Sequence, residues 1–452
     1  GLAAGIRLAH FGKHVCVLEK HGLAGGLNSF YRLHGREFDV GLHAVTNYVP
    51  RDARGTPLAR LLRQLRLRYD DLELCQQTQS EVKFPGISLR FSNDFRLLET
   101  EVCEKFPRQA DGFRRLVAEL PDFDTATLRT SSALARRVLQ TYINDPLLTD
   151  MLLCPLLYYG SASEDDMPFT QFAIMFRSVF SEGFARPRAG VRRIIAVRLA
   201  RFKACNGTLR MNCGVRRLNV AAGRVASIEL EGGETLAADT VFSSAGYVET
   251  LRLCSDLKPE DAPRLAAEAG RMTFMESISI LDVEPRTLGL CNTIAFVNSA
   301  ERFRYRPAAE PVDLASAVVC CPNNFDYPAP LEEGVVRITN IANYDLWAEL
   351  PDSEYGARKQ AWYERSVAAV LNFVPDFRRH VRCVDIFTPR TIHRYTGHAN
   401  GAVYGCPHKR PDGRTHLGNL FLCGTDQGLL GIIGAMLSGI TIANLHGLRR
   451  RA

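Results

Sequence analysis

Glycines and one carboxylate near the amino end of this chain have the spacing of a nucleotide site. Gly1 opens a helix-like stretch, and Glu19 follows the short apolar run of residues 14–18. The free amide groups at a helix start face a pyrophosphate, and a carboxylate after the next strand accepts hydrogen bonds from ribose hydroxyls. Gly1 would then be the third glycine of a G-x-G-x-x-G motif. This segment alone is also compatible with an ordinary α/β unit that binds no nucleotide.

Two further glycine-rich turns have residue types that suit an anion. Gly25 and Gly26 allow the backbone to lie close to a phosphate, where a Cβ atom would intrude. Near the carboxyl end, an apolar run is followed by a turn that contains Gly424, Asp426 and Gly431. A turn from strand to helix presents unpaired amides, so it can bind an anion or a carbonyl oxygen.

The elements that position these residues can be predicted from the hydrophobic pattern. Leu2, Ile6 and Ala9 are three or four residues apart, so one face of a helix can lie on a sheet. Residues 14–18 are too few for a buried helix and suit a parallel strand that is covered on both faces. The chain starts without Met, and the strand and the first two glycines of the motif are absent before Gly1. We therefore expect the sequence to be a fragment.

The composition indicates a large globular protein. The chain has 452 residues, 46% of them hydrophobic, and can bury the core of two connected domains. The net charge is +7, but the basic residues do not form a run, so we expect no nucleic-acid partner. The positive charge is compatible with an anionic cofactor or with anionic lipid headgroups. The 13 Cys include no C-x-x-C pair, which favours free thiols in a reducing, cytoplasmic compartment over a metal site or disulfides. No apolar run approaches the roughly 20 residues that span a bilayer, so membrane association would be peripheral.

The segment that ends at His43 resembles a known family. It contains in order a strand, Glu19, the pair Gly25 and Gly26, and the sequence Phe-Asp-x-Gly-x-His. This order resembles the flavoprotein superfamily of phytoene desaturases, carotenoid isomerases and all-trans-retinol saturases. The resemblance implies FAD as the cofactor.

Other parts of the chain share this resemblance, with two departures, one of which is Ala189 in place of the first paired glycine in residues 183–190. The turn that begins at Gly424 is similar to the last FAD motif of the family, and residues 183–190 and 401–405 are similar to two further segments. Many relatives have Arg directly after the glycine pair, whereas this chain has Leu27 and Asn28. A side-chain contact with phosphate is therefore not expected at that position.

The resemblance also implies roles for individual cofactor residues. The glycine pair would lie against the FAD pyrophosphate, the backbone of Val215 would contact adenine, and Asp426 would reach the ribityl or phosphate region. The helix after the last turn would point its amino end at the flavin, where its dipole stabilises negative charge on the reduced ring. The implied cofactor residues are Gly1, Glu19, Gly25, Gly26, Val215, Gly424, Asp426, Gly431, Ile433 and Gly434. Because the preceding strand is absent, we expect a chain that starts at Gly1 to bind FAD poorly or not at all.

His43 and Tyr404 are the candidate catalytic residues. By resemblance His43 would lie near the isoalloxazine ring, and either side chain could exchange a proton with substrate. His43 could equally be a hydrogen-bonded structural histidine. A base is not always required, because a delocalised cation can lose a proton to water.

We predict an α/β fold with two domains. The first is an FAD-binding Rossmann-like domain of the glutathione-reductase type, with a parallel sheet and a β-meander, formed by residues 1–55, 190–250 and 385–452. The second is an α+β substrate domain formed by residues 56–189 and 251–384. The pattern predicts short antiparallel strands at residues 208–212, 214–220, 224–230, 234–236 and 240–243. Residues 147–190, rich in Leu, Met and aromatic side chains, would wall a substrate tunnel or form ordinary core.

These features predict an FAD-dependent oxidoreductase that moves a hydride between flavin and a carbon–carbon bond of an isoprenoid or polyene, a carotenoid or retinoid. Desaturase, saturase and isomerase reactions remain open, with NAD(P)H as an indirect electron donor. A flavin amine oxidase is the alternative in the same fold, and would have paired aromatics and a Lys near the flavin. A non-catalytic isoprenoid-binding protein is the second alternative. The expected partner is a hydrophobic small molecule, with a membrane surface as a further one.

Overall fold

Short apolar strands form several sheets in this protein. The computed structural model describes residues 1–120 and 133–448. The strands are β1 (Cys16–Leu18), β2 (Phe30–Leu33), β3 (Arg36–Asp39), β4 (Leu74–Gln76), β5 (Ser80–Phe84), β6 (Ile87–Phe91), β7 (Ala185–Pro187), β8 (Thr208–Arg210), β9 (Val215–Ala221), β10 (Arg224–Leu230), β11 (Thr235–Leu236), β12 (Val241–Ser243), β13 (Thr273–Leu281), β14 (Ile294–Asn298), β15 (Ser316–Cys320), β16 (Gly334–Ala342), β17 (Val381–Phe387) and β18 (Leu420–Leu422).

Helices cover these sheets. They are α1 (Leu2–Ala9), α2 (Pro57–Leu65), α3 (Phe95–Lys105), α4 (Ala110–Glu119), α5 (Ala135–Leu139), α6 (Pro146–Gly160), α7 (Phe169–Phe176), α8 (Val191–Ala204), α9 (Tyr247–Arg252), α10 (Ala262–Ala267), α11 (Tyr344–Ala348), α12 (Asp352–Val370), α13 (Pro389–Thr396) and α14 (Gly431–Ile442). Helix α12 is the longest helix in the described part of the chain, and β5 and β6 form an antiparallel pair.

The largest sheet has seven strands in the order β17-β13-β16-β15-β14-β5-β6. Neighbouring strands are antiparallel except β14 and β5, which run parallel. Strands β13, β14 and β15 are buried along their whole length, because both faces of the sheet are covered. Helices α6 and α7 lie in the hydrophobic cluster on one face, and α12 lies in the cluster on the other. Trp347 and Trp362 belong to this second cluster and are therefore core residues.

Two parallel strand pairs form the other part of the fold. Strand β1 pairs with β8, and β12 pairs with β18, in both cases in parallel. Helix α1 packs against α8 and α14, and the antiparallel strands β9, β10 and β11 form a separate three-stranded sheet. The predicted α/β class, with parallel strands, a meander and a second α+β part, is confirmed.

One part of the meander prediction was wrong. We predicted five short antiparallel strands between residues 208 and 243, but β8 and β12 are parallel partners of β1 and β18. Only β9, β10 and β11 form the antiparallel meander in the part of the chain that the structure describes. Turn residues between apolar runs identify strands but do not specify their partners, which explains the error.

The proposed division into domains stays a prediction, with one boundary inside an element. Strand β17 runs from Val381 to Phe387 and pairs with β13, so residues 385–387 belong to the large sheet. The boundary predicted at residue 385 cuts this strand.

Within residues 1–120 and 133–448, one helical segment, Gly431–Leu448, is long and apolar enough to cross a membrane by length and composition, with a mean hydropathy of 1.4, contrary to the expectation that no apolar run approaches that length. It contains α14, which packs against α1 and α2, and 56% of the segment is buried inside the protein. Core packing explains its apolar character.

Candidate active site

A cavity of 1570 Å³ extends from the parallel strand pairs to the large sheet. Small-molecule pockets typically measure about 300–1,000 Å³, and this cavity exceeds that range. It brings together most of the residues predicted from the sequence. The predicted residues that line it are Gly1, Glu19, Gly25, Gly26, His43, Val215, Tyr404, Gly424 and Gly431.

The start of α1 is shaped to receive an anion. Gly1 precedes α1 and provides no side-chain cap, so the first amides of the helix are free to bind a ligand. A Cβ atom on Gly1 would lie 2.9 Å from Ser244 Oγ, so glycine keeps this passage open. Across the same cavity, Glu19 uses one carboxylate oxygen to accept the His21 amide at 3.0 Å. This arrangement fits the pyrophosphate and ribose of a dinucleotide.

The other glycine turns adopt backbone conformations that suit the same role. Gly25 has φ 128°, and a Cβ atom there would lie 2.7 Å from the carbonyl oxygen of Asn28. Gly424 and Gly431 have φ values of 90° and 72° and lie on the cavity wall. Residues that have a side chain rarely adopt these backbone conformations. Each glycine turn therefore presents its backbone directly to the cavity. The residues present therefore fit FAD.

Asp426 is hydrogen-bonded within the protein and is not among the residues that line the cavity. Its carboxylate accepts the Tyr247 amide at 2.6 Å and the Cys406 amide at 2.7 Å, and the residue is 1% exposed. It lies behind the cavity wall and joins the start of α9 to the segment before the last turn. Ile433 and Gly434 also lie behind the wall, where a Cβ atom on Gly434 would lie 3.0 Å from the carbonyl carbon of Leu429. These three residues do not line the cavity, and the cofactor contacts that the resemblance implies for them stay predictions.

His43 lies at the other end of the cavity in a buried polar cluster. Its Nε2 atom is 3.1 Å from Thr339 Oγ1 and 3.5 Å from Glu276 Oε1, and its Nδ1 atom is 3.4 Å from the Tyr159 hydroxyl. His43, Tyr159, Glu276 and Thr339 all line the cavity. The histidine is thus both hydrogen-bonded within the protein and accessible from the cavity, so the structural and chemical roles coexist.

Two buried arginines hold the loop that carries His43. Arg337 pairs with Glu276 and donates to the carbonyl oxygens of Leu42 at 2.9 Å and Val40 at 2.7 Å. Arg186 pairs with Asp39 and donates to the carbonyl oxygen of His43 at 3.2 Å. Because each buried cation has a carboxylate partner, the loop is fixed by hydrogen bonds without leaving a charge unpaired.

The charges of this cluster follow from burial and pairing. Burial lowers the pKa of His43, and this effect outweighs the opposing effect of Glu276, so the imidazole is neutral at neutral pH. Burial alone would raise the pKa of Glu276, but Arg337 and His43 together hold it below its ordinary value. The cluster therefore combines a neutral imidazole with an ionised carboxylate, which suits holding or moving a proton.

Aromatic side chains surround this end of the cavity. The Tyr404 and Phe274 rings meet edge to face at 6.1 Å, and Phe274 stacks on Tyr158 at 5.9 Å. Burial raises the pKa of Tyr404, whose hydroxyl donates to the Tyr158 carbonyl oxygen at 2.5 Å. That hydrogen bond would have to break before Tyr404 could give its proton to a ligand.

The tunnel predicted from residues 147–190 is formed by fewer side chains than expected. Within that stretch Tyr158 and Tyr159 line the cavity, whereas the Leu, Met and Phe side chains of α6 and α7 pack in the core. Sequence reasoning missed Tyr159, Glu276 and Thr339. Glu276 could have been noticed as a carboxylate within the largely apolar run that forms β13, but no local spacing connects it with His43.

The fold and this glycine-lined cavity define a flavin-dependent oxidoreductase, and comparison with known proteins supports this class. The profile of the family described as flavin containing amine oxidoreductase matches residues 1–278. The chain belongs to this family, its cofactor is FAD, and it acts on a small molecule. Among the residues that the structure describes, no group of three or more His, Cys, Asp or Glu is arranged to hold a metal ion.

Individual relatives match almost the whole chain at low identity. All-trans-retinol 13,14-reductase of Danio rerio is 24% identical over 520 aligned residues, with 98% of this chain and 84% of the relative covered. Phytoene desaturase (lycopene-forming) of Pseudescherichia vulneris is 23% identical over 493 residues, with 98% and 96% covered. The solved structure of an oxidoreductase from Methanosarcina mazei has a TM-score of 0.67 at 16% identity, with 98% and 97% covered.

Proposed function

We propose that this protein uses FAD to transfer a hydride to or from a carbon–carbon bond of an isoprenoid polyene, a carotenoid or a retinoid. The observation that carries the proposal is the aromatic end of the cavity, where Tyr158, Phe274 and Tyr404 form an apolar wall next to the polar cluster of His43. A conjugated hydrocarbon needs aromatic and aliphatic contacts and no hydrogen bonds. The names of the retinol reductase and the phytoene desaturase agree with such a substrate.

The residues of this chain would orient the substrate, exclude water and handle one proton. FAD, when bound, supplies the hydride acceptor or donor. Each hydride transfer at one carbon is matched by a proton gained or lost at the neighbouring carbon. The Tyr159 hydroxyl and the neutral His43 imidazole are 3.4 Å apart at the cavity wall, and Glu276 stabilises positive charge on the imidazole. We assign the proton exchange to this pair, since the Tyr404 hydroxyl is already bound to the Tyr158 carbonyl oxygen.

A flavin amine oxidase is the second candidate. The lysines on the cavity wall in the described part of the chain are Lys13 and Lys20, which flank β1 at the dinucleotide end. Near the aromatic wall, the Glu276 carboxylate already pairs with Arg337. It therefore does not offer an unpaired negative charge to the ammonium group of an amine substrate. These two features favour a hydrocarbon over an amine.

Anaerobic incubation of FAD-loaded, full-length protein with polyenes, retinoids and amines tests the proposal. Flavin bleaching by a polyene indicates desaturation. Loss of polyene conjugation with dithionite-reduced protein indicates saturation, and a change of double-bond geometry without net consumption indicates isomerisation. Bleaching by an amine while all polyenes and retinoids stay unchanged would support the amine oxidase instead. Protein that purifies without any flavin would support the non-catalytic isoprenoid-binding alternative.

We also propose that the protein is cytoplasmic and meets its substrate at a membrane surface, with NAD(P)H supplying electrons indirectly. The support is chemical, because long polyenes partition into bilayers and the net charge of +7 suits anionic headgroups. Flotation with anionic and neutral lipid vesicles tests the membrane contact. Recovery with neither type of vesicle would contradict it.

A further inference from the structure

Arg198 occupies an unusual place on helix α8. The inward face of this helix is formed by Val191, Ile194, Ile195 and Phe202, all of them buried. Arg198 is three or four residues from the last three, so it belongs to the same face. Its side chain lines the large cavity. A cation therefore lies where the helix pattern would place an apolar residue.

The guanidinium of Arg198 has little to bind within the protein. Its Nε atom donates to the Ile194 carbonyl oxygen at 3.1 Å, and within residues 1–120 and 133–448 no carboxylate pairs with it. Burial lowers its pKa to about 10, so it is still a cation at neutral pH. The enclosed Arg186 and Arg337 differ, because each pairs with a carboxylate. Arg198 thus carries a positive charge without a carboxylate partner, and the donors at the end of its guanidinium have no acceptor in the described part of the protein.

The surroundings of Arg198 identify the end of the cavity to which it belongs. Helix α8 packs against α1, and a Cβ atom on Gly5 of α1 would lie 3.1 Å from the ring of Phe202, which follows Arg198 by about one turn on the same face. Arg198 therefore belongs to the part of α8 that lies along α1, the helix that begins after Gly1. The glycine pair itself is followed by Leu27 and Asn28, so no cation is provided there by the adjacent sequence. Helix α8 is the element that brings a positive charge to this part of the wall.

We propose that Arg198 binds the diphosphate of the dinucleotide cofactor. A guanidinium offers paired donors that match phosphate oxygens, and an anion would neutralise the enclosed charge. The inference deepens the proposed function, since it rests on FAD as the cofactor and names the side chain that recognises its anionic part. It does not depend on which substrate reacts.

Calorimetric titration of the full-length apoprotein with FAD, ADP and adenosine tests this role. Arg198→Met should weaken FAD and ADP binding by about 10- to 100-fold and leave adenosine, which has no phosphate, within about twofold of wild type. Arg198→Lys should recover part of the ADP affinity because it keeps the charge. Arg201→Met is the matched control, since Arg201 is on the same helix and donates to the Leu65 carbonyl oxygen at 3.2 Å, away from the cavity wall.

Thermal unfolding of the same apoproteins provides a second readout. Arg198→Met should unfold at or above the wild-type temperature, because it removes an enclosed cation without a partner. Unchanged ADP affinity, or equal losses for ADP and adenosine, would overturn the inference. If Arg198→Met weakens ADP and FAD but no polyene reacts with wild type, only the proposed substrate is wrong. If wild type binds neither FAD nor ADP, both proposals fail.

Discussion

At the scale of single residues, the polar end of the cavity depends on Glu276. This carboxylate contacts both His43 and Arg337, and all three side chains are almost completely buried. Arg337 in turn binds the backbone of the loop that carries His43. One carboxylate therefore compensates a buried cation and also contacts the histidine, which burial keeps neutral against the opposing effect of that carboxylate.

Glu276→Gln should destabilise the protein by about 3–5 kcal/mol, because it leaves Arg337 buried without a charge partner. Urea unfolding measures this loss. Glu333→Gln is the control, since Glu333 pairs with Arg36 at a position where both side chains are about one-third exposed. We expect the control to unfold like wild type, and equal behaviour of the two variants would contradict the account of the cluster.

His43 should make stability depend on pH in a defined direction. Its pKa is lowered from 6.5 in the folded state, so the unfolded chain binds its proton more readily. The free energy of unfolding should therefore fall as the pH drops below about 6.5, with a slope of up to about 1.4 kcal/mol per pH unit from this group. His43→Gln should lack this component in urea unfolding between pH 7 and pH 5. An unchanged slope in the variant would show that His43 is not enclosed as described.

At the scale of elements, close contact between α1 and α14 holds the amino-terminal glycine turn against the carboxyl-terminal one. A Cβ atom on Gly439 of α14 would lie 3.0 Å from the Ala4 backbone nitrogen of α1. Glycine at this position lets the two helices approach. The spacing of their amino ends, which face the cavity, depends on that approach.

Gly439→Ala and Gly356→Ala form a matched pair of helix substitutions. Gly356 lies in α12 with open space around its Cβ position, so alanine there should stabilise the protein by up to about 1 kcal/mol through helix propensity. Gly439→Ala has the same propensity gain but pushes against Ala4, so its measured stability should be lower than that of Gly356→Ala by about 1 kcal/mol or more. Equal stabilisation in urea unfolding would contradict the close packing of α1 on α14.

Elements were predictable from the sequence where local pattern decides them. The apolar runs of β1 and β18, and the helix α12, follow from periodicity and flanking residues. The partners of β8 and β12 did not follow, because pairing depends on where the chain returns in space. The contact of His43 with Glu276 was also hidden, since 233 positions separate the two residues and Glu276 has no diagnostic neighbour.

At the scale of the whole molecule, the cavity joins two parts of the fold that provide different chemistry. The glycine turns contribute backbone amides and helix α8 contributes Arg198, which suit an anionic cofactor. The large sheet contributes Phe274, Glu276 and Thr339 to the opposite end, which suits a hydrocarbon and a proton. A reaction between the two ligands requires both ends to be occupied at once.

One anaerobic turnover measured in wild type and in Val403→Trp tests this central claim most directly. Val403 lines the aromatic end beside Tyr404, so a larger ring there should block the substrate while FAD content stays unchanged. Val403→Leu is the control for the substitution itself. We predict that wild type and Val403→Leu convert at least about one polyene per flavin, and that Val403→Trp retains flavin but converts none. Full conversion by Val403→Trp, or no polyene conversion by flavin-loaded wild type, would contradict the account.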